Sequence, residues 1–184
     1  MCLTSACQDT RPWNGVAAPD PGAAPPLRLS DQHGRPYDLA LDKGRVVLAF
    51  FGYTNCPDVC SVTLSQWRRV KSALGGDSSR VRFVFVTIDP ARDTPAVLRA
   101  YVAQFDSMDI ALSGTAAEID AAKSAWGVTA MPDADMSMPA ATRGPQTFSH
   151  SAQVFVVDRQ GKLRLIFPPQ MTVDGMVGDL KRLL

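Results

Sequence analysis

The sequence predicts one α/β domain with a central mixed sheet flanked by helices and an N-terminal β-hairpin. Short apolar segments typical of strands alternate with segments whose apolar residues recur at helical spacing. The 184 residues, 46% of them hydrophobic, are enough for one sizeable core. A net charge of +1 gives no indication of a nucleic-acid partner. The sequence holds no apolar run of about 18 residues, the length that a membrane-spanning helix needs.

The first 26 residues are predicted to be a flexible tether, and residues 27–184 are assigned to the domain. Residues 8–26 are rich in Pro, Ala, Gly and Asp and lack apolar periodicity. Residues 3–7 resemble the end of a bacterial lipoprotein signal, in which a cysteine, here Cys7, becomes lipid-modified. The positive and apolar regions that precede such a site are absent here. Either an N-terminal anchor has been trimmed, or the resemblance is accidental.

The domain begins with a predicted hairpin. Residues 27–30 and 37–41 are short alternating segments on either side of the turn Asp31-Gln32-His33-Gly34. His33 is expected to be an exposed turn residue.

The stretch that follows carries a cysteine pair. Residues 46–51 predict a fully buried strand, which turns through residues 52–55 into an amphipathic helix that Gly75-Gly76 ends. Asn55 is the predicted N-cap, and Pro57 is expected in the first helical turn. Cys56 and Cys60 therefore stand one turn apart at a strand-to-helix junction, where both sulfurs can face the same way.

This position predicts reactive sulfur. A helix N-terminus favours anions, which lowers a thiol pKa and populates the thiolate. Thiolate is both a nucleophile and a metal ligand, so Cys56 and Cys60 are candidates for redox or metal chemistry. A structural disulfide, or two buried free cysteines, is the alternative interpretation. Cys2 and Cys7 form a second close pair of the same kind.

The remaining elements follow in the order strand, helix, strand, helix, strand, strand, helix. Thr94 and Pro95 provide an N-cap and a first-turn proline for the helix after Asp89-Pro90. This order is that of a thioredoxin-like α/β domain. The predicted elements are a strand at 81–88, a helix from Thr94 to Phe105, a strand at 110–112, a helix at 115–126, strands at 153–157 and 162–167, and a helix at 172–184.

Residues 127–146 interrupt this pattern. They carry three prolines and three methionines, with little periodicity. A loop of this length in a compact domain is usually functional or mobile.

Three blocks of the sequence resemble the Sco/SenC family of copper chaperones. They occur in the family's order, and the resemblance extends from about Pro25 to the C-terminus. The blocks are Phe51-Gly52-Tyr53-Thr54-Asn55-Cys56-Pro57-Asp58-Val59-Cys60, then Thr87-Ile88-Asp89-Pro90-Ala91-Arg92-Asp93-Thr94-Pro95, and Ser149-His150-Ser151.

The resemblance implies a thioredoxin fold that binds one copper ion, Cu(I) or Cu(II), through two cysteines and one histidine. Carried over by position, these ligands are Cys56, Cys60 and His150. The donor types agree with this, because thiolates and imidazole suit copper better than Mg²⁺ or Ca²⁺. Zinc in a closed structural site would need a fourth ligand, and none is obvious.

Two carboxylates are candidates for support of the site. Asp58 lies between the cysteines, where it either shapes the loop or is simply solvated. Asp89 ends the strand beside the cysteine strand, where it either supports the ligands or caps the strand.

The family links its members to the binuclear copper centre of cytochrome c oxidase. The resemblance therefore implies a metallochaperone that delivers copper to that centre or helps to assemble it. Its implied partners are cytochrome c oxidase subunit II or another copper acceptor, and a copper donor or thiol reductase. The implied location is the periplasmic side of a bacterial inner membrane, with an N-terminal lipid or signal anchor as the only membrane contact.

A thiol-disulfide oxidoreductase is the alternative function. In that case Cys56 and Cys60 would be the redox-active pair, reducing cysteines of the oxidase or of another exported copper protein. The wider spacing of the cysteines and the presence of a histidine favour copper. A peroxiredoxin-like peroxidase is weaker, because its threonine before the reactive cysteine and its partnering arginine are not evident.

The methionine-rich loop supports one further hypothesis. Thioether sulfur is neutral and soft, and it prefers Cu(I). Met131, Met136 and Met138 are therefore candidates to capture an incoming ion and pass it to the tighter site. The alternative is that these methionines fill apolar gaps beneath the loop.

Overall fold

The computed structural model describes residues 11–19, 21–132 and 148–184, and one eight-stranded sheet organises them. The strands are β1 (Val16–Ala17), β2 (Arg28–Asp31), β3 (Pro36–Asp38), β4 (Val46–Gly52), β5 (Val81–Thr87), β6 (Ile110–Ser113), β7 (Ala130–Pro132), β8 (Phe148–His150), β9 (Val154–Val157) and β10 (Leu163–Phe167). The helices are α1 (Val59–Leu74), α2 (Pro95–Ala103), α3 (Ala116–Ala125) and α4 (Val173–Leu183). Strands β7 and β8 form a separate two-stranded sheet that the sequence did not predict.

The large sheet is mixed, as predicted. Its strand order is β1-β10-β9-β4-β5-β6-β2-β3. Strands β4, β5 and β6 are parallel, whereas β9 is antiparallel to β4 and β2 is antiparallel to β6. Because the three parallel strands run the same way, β4 and β5 end at one edge, which we call the cysteine end. We call the opposite edge of the sheet, where β5 and β6 begin, the lysine end.

Strand β4 lies at the centre of the core. All seven of its residues are buried, which explains its unbroken apolar sequence. Its alternate side chains enter two clusters, because successive residues of a strand face opposite sides. Val46, Leu48 and Phe50 pack with residues of α1, α2 and α4. Val47 and Phe51 pack on the other face with residues of α3 and of the hairpin.

Three of the four helices begin at the predicted residues. Thr94, Thr115 and Thr172 each accept a hydrogen bond from a backbone N–H in the first turn. Glu118 completes a capping box with Thr115.

Helix α1 is the exception, and the prediction that Asn55 caps it is wrong. The N-cap is Asp58, so Cys56 and Pro57 lie ahead of the helix. The backbone first closes a turn, in which the Cys56 N–H donates to the Tyr53 carbonyl at 3.2 Å. Thr54, within this turn, also donates hydrogen bonds to Asp93, which lies 39 residues further along the chain. No local sequence pattern predicts such a long-range contact.

The described part of the predicted tether is packed against the domain. Strand β1 pairs with β10, so residues 16 and 17 extend the sheet. The Trp13 ring lies 3.7 Å from the Arg182 guanidinium. The buried Asp179 carboxylate accepts hydrogen bonds from the Asn14 and Gly15 N–H groups at 3.1 and 2.8 Å. The domain therefore begins well before residue 27; residues 1–10, including Cys2 and Cys7, lie outside the described residues.

The hairpin is confirmed with one shortened strand. Strands β2 and β3 pair as predicted, and His33 is exposed in their turn. Strand β3 ends at Asp38 because its carboxylate accepts the Ala40 N–H at 2.9 Å and caps a 3-10 turn, Leu39–Asp42.

Candidate metal centre

The cysteine pair lies at the cysteine end, between the last residue of β4 and the first turn of α1. Cys60 is fully buried and Cys56 is partly exposed, and neither is in a disulfide. The Cys56 side chain is the largest cause of a raised pKa at Cys60, so the two sulfurs are neighbours. One sulfur is therefore fixed in the core, while its partner is open to an incoming ion or protein.

Gly52 allows the chain to pass close to the buried sulfur. A Cβ added at Gly52 would lie 2.8 Å from the Cys60 Sγ, 2.9 Å from the Phe50 ring and 3.0 Å from the Phe85 ring. Real Cβ atoms do not approach sulfur or ring carbon so closely. The absence of a side chain at this position therefore determines where the Cys60 sulfur can sit.

The pKa of the Cys60 thiol is raised, not lowered. The hydrogen bond with Cys56 is the largest cause and burial is the second, and the negative charge of Asp93 adds to them. A hydrogen bond from the Tyr53 backbone opposes the rise. The expectation of a lowered thiol pKa is therefore not met at Cys60, where the neighbouring sulfur and burial raise the pKa.

A buried carboxylate holds the loop that carries Cys56. Asp93 accepts the Thr54 N–H at 3.1 Å and the Thr54 hydroxyl at 2.5 Å. It also accepts the Thr87 hydroxyl at 2.5 Å, which ties the loop to the end of β5. Burial raises the pKa of Asp93, and these hydrogen bonds oppose the rise.

Asp93 was not among the site residues predicted from the sequence. The one sequence feature that could have indicated it is its position in the second family block, four residues after Asp89 and directly before the capping Thr94. Only the fold brings it to Thr54, which is 39 residues away along the chain.

The two carboxylates predicted to support the site have different surroundings. Asp89 is buried and pairs with Arg92, and its backbone N–H donates to the Thr87 hydroxyl at 2.9 Å. It thus joins the same network as Asp93 through Thr87. Asp58 is exposed at the start of α1, and its side chain makes no capping hydrogen bond.

His150 is located by its backbone alone. It ends β8, opposite Ala130 of β7, and the next residue, Ser151, donates its N–H to the Thr129 carbonyl at 3.0 Å. The side chain of His150 lies outside the described part of the structure. Among the side chains that the structure describes, no group of three or more His, Cys, Asp or Glu could hold a metal ion.

The methionine-rich loop is largely outside the described residues. Met136 and Met138 are not described, and Met131 is placed only by its backbone in β7. In the part of the chain that the structure covers, none of the helices is both long and apolar enough to cross a membrane.

The fold and the pair together define a class of protein. A reduced cysteine pair that leads from a central strand into a helix, in a mixed sheet covered by helices, is the arrangement of a thioredoxin-like protein. Within that class, the chain belongs to the SCO1/SenC family, whose model matches residues 18–184.

Solved structures of this family are similar over almost the whole chain. Bradyrhizobium japonicum ScoI with copper bound has a TM-score of 0.78 and 36% identity, covering 89% of this chain and 100% of that chain. Apo Sco1 from Thermus thermophilus has a TM-score of 0.83 and 31% identity, covering 96% and 99%. A SCO2-like protein of Rickettsia felis is 32% identical over 137 residues, which are 74% of this chain and 64% of that protein. The predicted thioredoxin-like fold and the Sco/SenC resemblance are confirmed.

Proposed function

We propose that this protein is a copper metallochaperone that delivers copper to the binuclear centre of cytochrome c oxidase or helps to assemble it. The observation that carries the proposal is the pair of neighbouring reduced sulfurs, Cys56 and Cys60, at the cysteine end of a Sco-family fold. Similarity to ScoI, a protein solved with copper bound, supports copper as the cargo.

The unequal burial of the two sulfurs suits a carrier. The buried Cys60 would give the ion a fixed ligand, and the partly exposed Cys56 would be the ligand through which the ion enters and leaves. We propose His150 as the third ligand, because the resemblance of Ser149-His150-Ser151 to the third block of the family implies it. Two thiolates and one imidazole suit copper and leave an open face for transfer to an acceptor.

Copper binding must displace protons from this pair. Because the pKa of Cys60 is raised, its sulfur carries a proton at neutral pH when no metal is bound. A thiolate ligand must lose that proton, so copper affinity should rise with pH.

The surrounding hydrogen bonds would keep the loop in place while the ion is exchanged. Asp93 fixes Thr54, two residues before Cys56, to the end of β5. We propose that Asp89 assists through Thr87, and that Asp58, at the exposed start of α1, shapes the approach to the sulfurs.

Competition with a Cu(I) chelator tests the ligand set. Cys56→Ala, Cys60→Ala and His150→Ala should each weaken Cu(I) binding by about 100-fold or more, because each removes one of three ligands. His33→Ala is the control, since His33 is exposed in the hairpin turn, and it should bind as wild type does. Unchanged affinity in His150→Ala would remove this histidine from the site.

A thiol-disulfide oxidoreductase is the second candidate function. The proximity of the two reduced cysteines favours it, because neighbouring sulfurs can form a disulfide. A copper chaperone passes a copper ion to its acceptor, whereas an oxidoreductase passes electrons. The second function holds if two results are found together with a soluble domain of oxidase subunit II. The reduced, copper-free protein must reduce the disulfide of that domain, and the copper-loaded protein must transfer no copper to the reduced domain.

Redox state and copper binding should exclude each other. A Cys56–Cys60 disulfide has no thiolate to offer, so the oxidised protein should bind no copper until it is reduced. Copper should in turn slow reoxidation of the pair. Equal copper uptake by the oxidised and reduced forms would contradict this proposal.

We further propose that the protein works on the periplasmic side of a bacterial inner membrane, held there by an N-terminal anchor.

The methionines at positions 131, 136 and 138 are proposed to capture incoming Cu(I). Replacing all three by Leu should slow stopped-flow copper loading from a donor without changing equilibrium affinity. Identical loading rates would leave these methionines as packing residues.

A further inference from the structure

Basic side chains collect at the lysine end of the sheet. Four segments meet there: residues 42–45 before β4, residues 75–80 before β5, the turn 158–162 between β9 and β10, and the last turn of α4. The Gly44 N–H donates to the Arg159 carbonyl at 2.9 Å, and the Arg80 guanidinium donates to the Leu184 carbonyl, so the segments are in contact. Their cations are Lys43, Arg45, Arg80, Arg159, Lys162, Lys181 and Arg182, against the carboxylates of Asp42, Asp77 and Asp158.

Burial hides most of these carboxylates and leaves the cations at the surface. Asp42 and Asp158 are each 6% exposed, and Asp77 is the exposed exception. The single Asp42 carboxylate pairs with two guanidinium groups, those of Arg45 and Arg82, both at 3.3 Å. Three exposed lysines have no ion pair or side-chain hydrogen bond within the described part of the chain. They are Lys43, Lys162 and Lys181.

The cysteine end has the opposite balance of charge. The segments 53–58, 88–94 and 168–174 follow β4, β5 and β10 at that end. Their charged residues are four carboxylates and one cation, namely Asp58, Asp89, Asp93, Asp174 and Arg92. The two ends of the sheet therefore carry opposite net charge, with the positive end far from the cysteines.

A cavity of about 370 Å³ opens at the lysine end. Its wall includes the guanidinium groups of Arg45 and Arg82, which suit phosphate oxygens, and the ion pair between Lys71 and Asp106. Met108 also lines this cavity, and it is 76% exposed. A lipid surface presents phosphate groups beside apolar chains, so it matches both the cations and the exposed methionine.

The chain from the proposed N-terminal anchor joins the domain at this same end. Arg182, in the last turn of α4, donates to the carbonyls of Arg11 and Pro12 at 2.8 and 3.1 Å, and its guanidinium lies over the Trp13 ring. Cys7, the candidate for lipid modification, stands four residues before Arg11, a span of at most about 14 Å. An anchor at Cys7 would therefore hold the lysine end next to the lipid.

We propose that the lysine end is a docking surface for the anionic phospholipid headgroups of the membrane that anchors the protein. This inference rests on the proposed function, and in particular on the N-terminal anchor. Each Lys or Arg near an anionic lipid surface contributes a favourable interaction that salt weakens. With the lysine end on the membrane, the cysteine end faces the aqueous side, where copper donors and acceptors reach the partly exposed Cys56.

Vesicle flotation measures this docking without copper and without an anchor. The wild-type chain should bind vesicles rich in phosphatidylglycerol, an anionic lipid, and not vesicles of phosphatidylcholine alone, and high salt should release it. Lys43→Gln, Lys162→Gln and Lys181→Gln together should weaken binding by about 100-fold, since each lysine near the surface contributes about fivefold. Wild-type binding in this triple variant would overturn the inference.

A compensated variant separates the position of the charges from the net charge. Asp120→Asn in α3 and Asp174→Asn at the start of α4 remove two exposed carboxylates. Added to the three lysine changes, they restore two of the three lost charges away from the lysine end. This variant should bind vesicles as weakly as the triple lysine variant. Recovery of wild-type binding would overturn the inference, because net charge alone would then explain it.

Trp13 reports which surface meets the lipid. The other two tryptophans, Trp67 and Trp126, are 0% and 4% exposed, whereas Trp13 is partly exposed beside Arg182. A quencher attached to the lipid headgroups should therefore quench Trp13, and Trp13→Phe should abolish the quenching while the protein still binds vesicles. Vesicle-bound protein with unquenched Trp13 would place another surface on the membrane and refute the inference.

The failure of this inference is distinguishable from failure of the copper function. Wild-type protein that binds Cu(I) but no anionic vesicles would refute the docking surface alone. Protein that binds anionic vesicles but no Cu(I) would refute the copper function and still support the docking surface. Release from vesicles by inorganic phosphate at constant ionic strength would also overturn the inference, because it would indicate a site for a free anion. The triple lysine variant should keep wild-type Cu(I) affinity, which serves as the control for its fold.

Discussion

The two ends of the central sheet bury carboxylates in different ways. At the lysine end, the Asp109 carboxylate is 1% exposed and pairs with the Lys71 ammonium, which also contacts Asp106 at 2.8 Å. At the cysteine end, the Asp93 carboxylate accepts hydrogen bonds from the neutral groups of Thr54 and Thr87. Asp109 is thus paired with a cation, whereas Asp93, which holds the Cys56 loop, is bound by uncharged donors, and the Asp89–Arg92 ion pair lies next to it along the chain.

The difference follows from what each end must do. Lys71 offsets part of the cost of burying the Asp109 carboxylate, and its ammonium also lies 4.5 Å from the centre of the Phe83 ring. A cation beside the cysteines would repel an incoming copper ion in a region of low dielectric constant. Neutral donors fix the Cys56 loop without that repulsion, so changes at the lysine end should alter stability, and changes at the cysteine end should alter copper binding.

Lys71→Met should produce the largest loss of stability. It leaves Asp109 buried without its cation, which typically costs about 3–5 kcal/mol at neutral pH. Urea denaturation measures this loss, and Lys181→Met, the same change at an exposed position of α4, is the control. Copper affinity should stay at the wild-type value. A weaker copper complex in Lys71→Met would show that the two ends are not independent.

The second effect is a pH dependence that originates at Asp109. Burial is the main cause that raises the pKa of Asp109 to about 6 from an ordinary 3.8, although Lys71 opposes it. The folded state therefore binds the Asp109 proton more tightly than the unfolded state does. The protonated carboxyl group contributes fully to the free energy of unfolding below about pH 4, and this contribution is lost as the pH rises through about 6.

A shift of this size corresponds to about 3 kcal/mol. The difference in unfolding free energy between wild type and Asp109→Asn should therefore fall by about that amount between pH 4 and pH 7. A difference that stays constant across this range would refute the assignment to Asp109.

Gly52→Ala should damage both stability and copper binding. Its Cβ would meet the Cys60 sulfur and the Phe50 and Phe85 rings, and overpacking of this kind costs about 1–3 kcal/mol. The displaced sulfur should also weaken copper binding. Gly76→Ala is the matched control, because nothing lies within 4 Å of a Cβ added there. Wild-type copper affinity in Gly52→Ala would mean that the position of the Cys60 sulfur does not limit binding.

Asp93→Asn should have the smallest effect on stability, about 1 kcal/mol, because the amide oxygen can still accept hydrogen bonds. Copper affinity should nevertheless fall by about tenfold, since the Thr54 loop loses a charged anchor. Chelator competition measures this fall, and Asp109→Asn, the same change at the lysine end, should leave copper affinity unchanged. Equal copper affinities in the two variants would remove the contrast between the ends.

The sequence by itself determined most of the large elements. The unbroken apolar run at residues 46–51 predicted the buried β4, and the helices predicted to start at Thr94, Thr115 and Thr172 have those residues as their N-caps. These signals are readable because they act within one strand or one helical turn. The sulfurs of Cys56 and Cys60 are neighbours, but not through the predicted helical spacing, because Cys56 lies ahead of α1.

Only the tertiary structure decided what surrounds the pair. Asp93 reaches Thr54 across 39 residues, and Asp179 holds Asn14 across 165 residues, so neither contact leaves a local pattern. The raised pKa of Cys60 has the same origin, because burial and a second sulfur are properties of the folded core. Sequence periodicity encodes which residues are buried, but the partners they find there depend on how distant segments pack.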